Sequence, residues 1–315
     1  MVIVVFIKQL SIGGAEKQSL LLTRELQRHY RTLLVVWEGA VCEPSYLDFV
    51  RRYDLNVAFL KGSVLIRFWK LWRLLRNEKV THMFNFLLVN NLFGGLAGRL
   101  AGVSHIYGGI RNCEIVRHKL LWQKFLHNKI SHRTIFNNYA GARALSEKGV
   151  RSDKMEVIHN GIDLDEIHAG KAREQGKIVI LTAARFLPQK DYYTALRAVG
   201  ILKEQGYSFV YMIAGYGAGE SDLRRWIREM DLEDCVEIKV SPPDLPKLFA
   251  RAHIYCSTSL REGLSNSIME ALAAGLPVIA TDVGDNQYLV KNGENGFLTD
   301  VRNSHQIAGN GPERI

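Results

Sequence analysis

Two glutamates in the second half of the chain have a spacing that suits a polyhydroxylated ligand next to a phosphate. Glu262 lies in an expected loop, and Glu270 lies in a helix that we predict to begin near Ser265 or Asn266 and to end at Gly275. The first amides of a helix have no partner inside it, so they can bind an anion. Glu262 is then a candidate for hydrogen bonds to sugar hydroxyls, and Glu270 for a ribose diol. The alternative is an ordinary capped helix with surface glutamates.

A pair of cations follows a buried apolar run in the same half of the chain. Arg185 and Lys190 come just after the run that ends at Ala183, so we expect them at the carboxyl edge of a sheet. A planar guanidinium and a compact ammonium together suit a diphosphate. Solvated surface cations are the alternative interpretation.

Two glycines lie between the opening apolar run and an amphipathic helix that we predict to extend to about Gln27. Gly13 and Gly14 allow the backbone to approach a ligand closely, and the helix start offers N–H groups to an anion. A tight turn without a ligand would need the same residues.

Short apolar runs alternate with longer helix-like stretches along the whole chain, which is typical of parallel sheets covered by helices. The predicted strands are residues 2–7, 33–37, 82–86, 105–107, 134–137 and 156–159, followed by 177–183, 209–214, 236–240, 254–256 and 277–280. Residues 165–176 are polar and weakly patterned, which predicts two α/β domains, 1–165 and 166–315. Two such domains in tandem would leave a cleft between the carboxyl edges of their sheets, where these folds bind ligands.

The composition limits the classes of possible binding partner but does not identify one. The chain has 315 residues and a formal net charge of +9, which favours anionic partners. Zinc-finger, helix-turn-helix and aromatic RNA-binding signatures are absent, so we do not predict nucleic-acid binding. The four cysteines are far apart and form no Cys-x-x-Cys pair, so we predict no metal site. No apolar run has the length of a membrane-spanning helix, and we expect a cytoplasmic protein.

Together these motifs resemble those of one family, the family 4 (group 1) retaining glycosyltransferases. Glu262 and Glu270 match its Glu-x7-Glu signature, which continues here as Gly-Leu-Pro-Val-Ile-Ala at residues 275–280. Residues 13–16, 157–163 and 214–217 match other family motifs in the same order, and the resemblance covers roughly residues 2–300. It implies the GT-B architecture, in which two Rossmann-like domains face each other across a cleft.

The resemblance also implies roles for single residues. Arg185 and Lys190 would bind the phosphates of a UDP- or GDP-sugar, Glu270 its ribose, and Glu262 the transferred sugar, with Glu262, Arg185 and Lys190 as the catalytic residues. The further donor-binding residues would be Gly13, Gly14, Gly215, Gly217, Gly263, Leu264 and Ser265. The implied reaction is retaining transfer, without metal or other cofactor, to a glycan or lipid-linked acceptor in surface polysaccharide or glycolipid synthesis.

Three features depart from the family pattern. Residues 107–112 lack the histidine that many members carry near the reacting sugar, and Arg111 and Asn112 are its candidate substitutes on the acceptor side. Residues 237–241 lack a glycine often found beside the base, so the choice of base stays open. The chain is also expected to lack the C-terminal helices that return to the first domain. One alternative is a truncated, non-catalytic nucleotide-sugar-binding remnant that lost turnover with these helices. A nucleotide-sugar epimerase, which shares the two-domain architecture, is another, and the Glu-x7-Glu block argues against it.

One stretch suggests contact with a membrane surface. The segment from Arg67 to Arg76 mixes tryptophan, phenylalanine and basic residues at helical spacing, which suits anionic lipid headgroups. A second basic and aromatic stretch covers residues 117–129. The alternative is a pair of domain helices with their aromatic side chains in the core. We expect peripheral attachment at the inner face of the membrane, and Trp69 and Trp72 are the residues that would test it.

Overall fold

The computed structural model describes residues 1–40, 42–111, 117–167, 176–242 and 244–311, with the side chains of residues 117–119 left out. The chain divides into two compact units, Met1–Gly161 and Ile162–Ile315. The boundary expected after residue 165 stays a prediction, because residues 168–175 of the polar segment lie outside the described ranges.

Unit 1 contains a parallel sheet in the order β3-β2-β1-β4-β5-β6-β7. Its strands are β1 (Val2–Ile7), β2 (Arg31–Val36), β3 (Val57–Phe59), β4 (His82–Asn85), β5 (His105–Ile110), β6 (Arg133–Phe136) and β7 (Met155–Val157). Its helices are α1 (Gly14–Gln27), α2 (Pro44–Arg52), α3 (Val64–Asn77), α4 (Leu87–Ala101), α5 (Arg117–Phe125) and α6 (Tyr139–Ser146). A π-helical segment, Leu126–Ile130, continues α5. The strand order reverses between β1 and β4, so the crevice outside their carboxyl ends is a topological switch point.

The central strand of unit 1 is apolar because helices cover both faces of the sheet. Val4 and Phe6 of β1 pack in one buried cluster with Leu71 of α3 and Ala97 of α4. Val5 and Ile7 of β1 face a second cluster that includes residues of α1 and α2. Alternate side chains of a strand point to opposite faces, so a buried parallel strand appears as a continuous apolar run.

Unit 2 repeats the plan with a parallel sheet in the order β10-β9-β8-β11-β12-β13. Its strands are β8 (Ile178–Ala183), β9 (Phe209–Gly215), β10 (Val236–Val240), β11 (Ile254–Ser257), β12 (Val278–Thr281) and β13 (Gly296–Thr299). Its helices are α7 (Tyr192–Glu204), α8 (Glu220–Glu229), α9 (Leu245–Arg251), α10 (Asn266–Ala273), α11 (Asn286–Leu289) and α12 (Ser304–Gly309). Ile180 of β8 packs toward α7 and Leu181 toward α10, so this sheet is also covered on both faces.

The predicted fold class is confirmed. Every predicted strand overlaps an observed strand, and both sheets are parallel. The edge strands β3 and β13 were not predicted from the sequence.

Candidate functional site

The structure brings two of the predicted site residues of unit 2 together. The ammonium of Lys190 forms an ion pair with a carboxylate oxygen of Glu262, and the two side chains are only 16% and 11% exposed. The hydroxyl of Ser259 donates a second hydrogen bond, of 2.7 Å, to the same oxygen. Low exposure strengthens such a pair because water screens it less. The cation and the carboxylate therefore form one local unit.

Hydrogen bonds to backbone carbonyls hold the two loops that carry this pair. The Leu260 amide donates to the Gln189 carbonyl at 2.8 Å, and the Gln189 side-chain amide donates to the Arg261 carbonyl at 2.6 Å. The Thr258 hydroxyl lies 2.9 Å from the Lys190 carbonyl and 3.0 Å from that of the next residue. The protein's own hydrogen bonds thus hold the loop after β8 against the loop after β11.

The helix predicted after Glu262 is confirmed as α10. Ser265 is its N-cap and accepts a hydrogen bond of 3.4 Å from the Ile268 amide. Leu264, just before the cap, is buried, and the Gly263 carbonyl accepts a hydrogen bond of 2.9 Å from the Asp285 amide. The turn of residues 263–265 is therefore fixed at the start of the helix, where backbone N–H groups attract an anion.

Glu270 lies half-buried on α10, on the same helix that begins beside Glu262. Burial raises the pKa of the Tyr255 phenol, and the nearby negative charges of Glu270 and Glu262 raise it further. Both carboxylates thus act electrostatically on one buried side chain. Neither the ribose role of Glu270 nor the sugar role of Glu262 is tested by these contacts, and both stay predictions.

Arg185 is exposed, and it forms no ion pair with any residue that the structure describes. Two predicted glycines pack against its loop. Gly215 ends β9 beside the Ala184 carbonyl, and a Cβ added to it would overlap that oxygen. Gly217 has φ +146°, and an added Cβ would lie 2.7 Å from the Phe186 carbonyl. These glycines are needed to place Arg185, and their direct contact with a donor stays a prediction.

In unit 1, Gly13 is the extended N-cap of α1 and Gly14 is its first residue. The carboxylate of Glu16 bends back over Gly13, and a Cβ on Gly13 would overlap one of its oxygens. The Tyr46 hydroxyl donates to the Gly13 carbonyl at 3.1 Å. A larger residue at position 13 would have to displace the Glu16 carboxylate, and contact of these two glycines with a phosphate stays a prediction.

Arg111 follows β5 directly and lies in a closed environment. Its guanidinium donates a hydrogen bond to the side-chain oxygen of Asn160 and lies 5.5 Å from the centre of the Phe86 ring. Burial lowers the pKa of Arg111 to about 10, although the charge of Glu16 acts in the opposite direction. Burial also raises the pKa of Glu16, while a backbone hydrogen bond and Arg111 lower it.

Sequence reasoning did not assign a role to either partner of Arg111. Glu16 and Asn160 lie in stretches that match the family, residues 13–16 and 157–163, and this was the signal that could have found them. Asn112, the other acceptor-side candidate, lies outside the described residues.

Two family models match consecutive parts of the chain. The model described as Glycosyltransferase Family 4 matches residues 12–166, and the one described as Glycosyl transferases group 1 matches residues 163–310. The chain belongs to the family 4, group 1 glycosyltransferases. The predicted resemblance is thereby confirmed, while a retaining mechanism stays a prediction.

Two relatives of this family 4 glycosyltransferase are named for glycan assembly. The amylovoran biosynthesis glycosyltransferase AmsK of Erwinia amylovora is 31% identical over 170 residues, which is 51% of this chain and 42% of AmsK. The UDP-Gal:alpha-D-GlcNAc-diphosphoundecaprenol alpha-1,3-galactosyltransferase of Escherichia coli is 26% identical over 293 residues, 83% of this chain and 75% of that protein. The chain thus spans less than half of the first relative and three quarters of the second.

Solved structures of low sequence identity share the fold. HepE of Anabaena, in complex with UDP-glucose, has a TM-score of 0.85 and 21% identity, over 98% of this chain and 88% of HepE. The apo lipopolysaccharide outer core galactosyltransferase WaaB has a TM-score of 0.75 and 14% identity, over 100% of this chain and 90% of WaaB. These likenesses confirm the two Rossmann-like domains of the GT-B fold. The expected cleft between the domains stays a prediction.

The surface of unit 1 exposes apolar side chains on two helices. On α3, Leu65 is 81% exposed and Trp69 is 50% exposed, whereas Trp72 packs against the core. On α5, Leu121 and Trp122 are also largely exposed. Within the part of the chain that the structure covers, no helix is both long and apolar enough to cross a membrane.

Proposed function

We propose that the protein is a retaining glycosyltransferase that moves a sugar from a nucleotide diphosphate-sugar to a glycan or lipid-linked acceptor in surface polysaccharide or glycolipid synthesis. The observation that carries the proposal is the meeting of Lys190 and Glu262 beside the capped start of α10. Family membership and the names of AmsK and the Escherichia coli galactosyltransferase support it.

Both cations of unit 2 act on the donor phosphates in this proposal, and Lys190 also pairs with Glu262. Arg185 is exposed and binds the diphosphate, for which its planar fork suits two oxygens at once. Lys190 neutralises Glu262 and holds this carboxylate toward the hydroxyls of the transferred sugar. Glu270, on the same helix as the anion-binding amides, accepts hydrogen bonds from the ribose.

The chemistry follows from where charge develops. The bond between the anomeric carbon and the phosphate oxygen breaks, the acceptor oxygen bonds to that carbon on the same face, and the leaving phosphate oxygen takes the acceptor proton. Negative charge grows on the diphosphate as this bond breaks. Arg185, Lys190 and the first amides of α10 stabilise that charge, and such fixed charges and dipoles are commonly the largest contribution to catalysis. They supply the positive charge that a metal would otherwise provide, so we propose that no metal is needed.

We propose a uridine donor in preference to a guanosine donor. HepE was solved with UDP-glucose, and the Escherichia coli relative is named for UDP-galactose. UDP-sugars are therefore the first donors to try, with GDP-sugars as the comparison.

Peripheral attachment to the inner face of the membrane would bring the enzyme to a lipid-linked acceptor. The first two turns of α3 present Leu65, Ile66 and Trp69 to solvent, next to the basic residues Lys70 and Arg73. Apolar side chains beside cations are suited to an anionic bilayer surface. This arrangement supports a cytoplasmic protein that binds the membrane without crossing it.

A two-stage experiment tests the proposed function. Thermal unfolding is first measured with UDP, GDP, ADP and their sugar conjugates in the presence of EDTA. A ligand at a hundred times its Kd adds about 2.7 kcal/mol to the free energy of unfolding. Transfer from the best donor is then measured to a short-chain synthetic analogue of N-acetylglucosaminyl diphosphoundecaprenol, and NMR of the product reports the anomeric configuration.

The outcomes separate the alternatives. Transfer with retention in EDTA supports the whole proposal, and an inverted product or a requirement for metal contradicts the corresponding part. Conversion of the nucleotide-sugar without an acceptor would indicate an epimerase. Donor binding without transfer to any acceptor would indicate a non-catalytic nucleotide-sugar-binding protein.

A further inference from the structure

Three polar side chains meet at the carboxyl edge of the sheet in unit 1, and we call them the Arg111 cluster: Glu16, Arg111 and Asn160. Glu16 lies in the first turn of α1, Arg111 follows β5, and Asn160 lies in the segment after β7. The guanidinium donates to Asn160 and interacts electrostatically with Glu16. Segments that leave three different strands therefore converge on one cation.

A second contact keeps the segment with Asn160 against α1. The Gln18 side-chain amide donates to the Gly161 carbonyl at 2.7 Å, and the Gly161 amide donates to the Gln18 side-chain oxygen at 2.8 Å. Gln18 is buried, and it lies on the same helix as Glu16. This reciprocal pair fixes the residue next to Asn160, so the acceptor of the Arg111 hydrogen bond is itself held in place.

The surroundings restrict Arg111 to one orientation. One face of the guanidinium lies over the Phe86 ring, and one of its nitrogens donates to Asn160. A guanidinium has five N–H donors in a rigid plane, so fixing a face and one edge leaves the remaining donors directed at a defined position. Glu16 is only 8% exposed and supplies the negative charge that makes a buried guanidinium tolerable. Two contacts and a buried counter-charge on one side chain exceed what a surface arginine needs for solubility.

We propose that Glu16 is a positioning residue for Arg111, and that Arg111 held in this way binds the acceptor substrate of the reaction; this inference rests on the proposed transferase function. Glu16 follows β1 and the guanidinium lies over Phe86, which follows β4, so the cluster borders the switch point of unit 1, where α/β sheets of this kind bind ligands. Asn160 has the same positioning role through its hydrogen bond to the guanidinium.

The test is a double-mutant cycle on transfer to the synthetic lipid diphosphate acceptor. We expect Glu16→Gln and Arg111→Gln each to lower kcat/KM for the acceptor about tenfold to a hundredfold, because a small misplacement of a binding group has effects of that size. The affinity for UDP, measured by titration calorimetry, should stay within about threefold, because Arg185, Lys190 and Glu270 lie in unit 2 and because Gln has the size of the Glu16 side chain that covers Gly13. The double variant should be no worse than Arg111→Gln alone, since Glu16 acts only through Arg111.

The double variant also separates positioning from a purely structural role. Removing both charges leaves no unpaired buried ion, so this protein is expected to fold even where a single variant does not. Recovery of acceptor kcat/KM in the double variant would show that the pair only stabilises the fold and would overturn the proposal. The conservative variant Arg111→Lys keeps the charge but not the planar fork, and it should remain impaired.

A matched control comes from the same helix. Glu25 is an exposed glutamate of α1 that pairs with Arg28 at 2.9 Å, and Glu25→Gln should leave transfer unchanged. If the natural protein transfers no sugar, the proposed function fails first. If it transfers normally and the Glu16→Gln and Arg111→Gln proteins do too, only the role of the Arg111 cluster is refuted.

Discussion

At the scale of single residues, the Lys190–Glu262 pair has low exposure and is expected to affect both the free energy of unfolding and the rate of sugar transfer. Lys190→Ala leaves a carboxylate that is 11% exposed without its cation, which should lower the free energy of unfolding by about 1–3 kcal/mol. It should also slow transfer about a hundredfold or more, because one stabilising charge is lost from the transition state. Denaturant unfolding and steady-state kinetics on the same protein measure both effects.

The control for this prediction is an exposed pair in the same unit. Lys239 and Glu237 lie 2.9 Å apart with side chains 43% and 49% exposed. Lys239→Ala should change stability by less than about 1 kcal/mol, since water screens exposed pairs. Equal losses from the two substitutions would mean that burial does not strengthen the Lys190–Glu262 pair.

Glu270 provides a separate test of the donor site. If its carboxylate holds the ribose, Glu270→Ala should weaken UDP binding about tenfold or more, which is the usual size of a lost charge-assisted hydrogen bond. Titration calorimetry measures this affinity directly. Glu229→Ala, at a 58% exposed position on α8, is the control and should bind UDP normally. An unchanged affinity in the Glu270 variant would rule out the ribose role.

The sequence predicted the types of these residues but not their partners. Glu262, Lys190 and Arg185 could be found because each lies next to a strand end or within a helix signature that local patterns indicate. The contact of Lys190 with Glu262, and that of Arg111 with Asn160, joins segments far apart in the chain. Such contacts depend on strand order, which no local pattern contains.

At the scale of elements, the end of β9 determines where the Arg185 loop lies. Gly215→Ala would push a methyl group into the Ala184 carbonyl, so we expect a loss of stability of about 1–3 kcal/mol and weaker UDP binding. Gly200 lies inside α7 with open space around its position, and Gly200→Ala should stabilise by about 0.5–1 kcal/mol. Thermal unfolding of both variants measures the difference. Similar stabilities for the two variants would show that the space between Gly215 and the Ala184 carbonyl can hold a methyl group.

The role of α3 can be tested more sharply than the sequence allowed. Leu65 and Trp69 are exposed, whereas Trp72 packs on the core, so only the first two can enter a bilayer without unfolding. Leu65→Ser with Trp69→Ser should weaken binding to vesicles of anionic phospholipid about tenfold or more while leaving the unfolding temperature nearly unchanged. Trp72→Ser should instead destabilise the fold by about 3–5 kcal/mol. Undiminished vesicle binding in the first variant would exclude α3 as the membrane face.

The strands that the sequence failed to predict share a physical cause. β3 contains only Val57–Phe59, and β13 contains Gly296–Thr299, and both lie at sheet edges. The residues of β3 are half-buried, so they lack the continuous apolar run that marks the central strand β1. An edge strand is covered by fewer neighbours and its side chains carry a weaker signal, so of the four edge strands only β7 and β10 were predicted.

At the scale of the whole molecule, the two parallel sheets could be predicted because the alternation of strands and helices extends over the entire chain. The +9 charge indicated anionic partners without selecting one.

The dependence of the protein's stability on pH was not predictable from the sequence, because it depends on which histidines become buried. The structure buries His127 in the π-helical segment and lowers the pKa of His127, His132 and His82, mainly by desolvation.

These histidines should make unit 1 sensitive to acid. Above about pH 6.5, the pKa of a histidine in an unfolded chain, these side chains are neutral in both the folded and the unfolded state. The free energy of unfolding then has its full value. As the pH falls below that value, the unfolded chain takes up protons that the folded unit resists, so the free energy of unfolding decreases until the folded pKa is passed. The raised pKa of Glu16 acts in the opposite direction at lower pH. Each unit of pKa shift corresponds to about 1.4 kcal/mol.

The contribution of His127 can be isolated by comparison. Its imidazole Nε2 lies 2.8 Å from the Arg151 carbonyl oxygen, and His127→Gln keeps a donor there but removes the titrating group. In a Trp226→Phe background every tryptophan lies in unit 1, so fluorescence follows the unfolding of that unit. Between about pH 7.5 and about pH 5.5 the His127→Gln protein should lose less stability than its parent, since fewer protons bind on unfolding. Glu16 and the other histidines are present in both proteins and cancel in the difference. Identical pH dependence would mean that His127 is protonated as readily when buried as when unfolded, and its burial would then have no electrostatic cost.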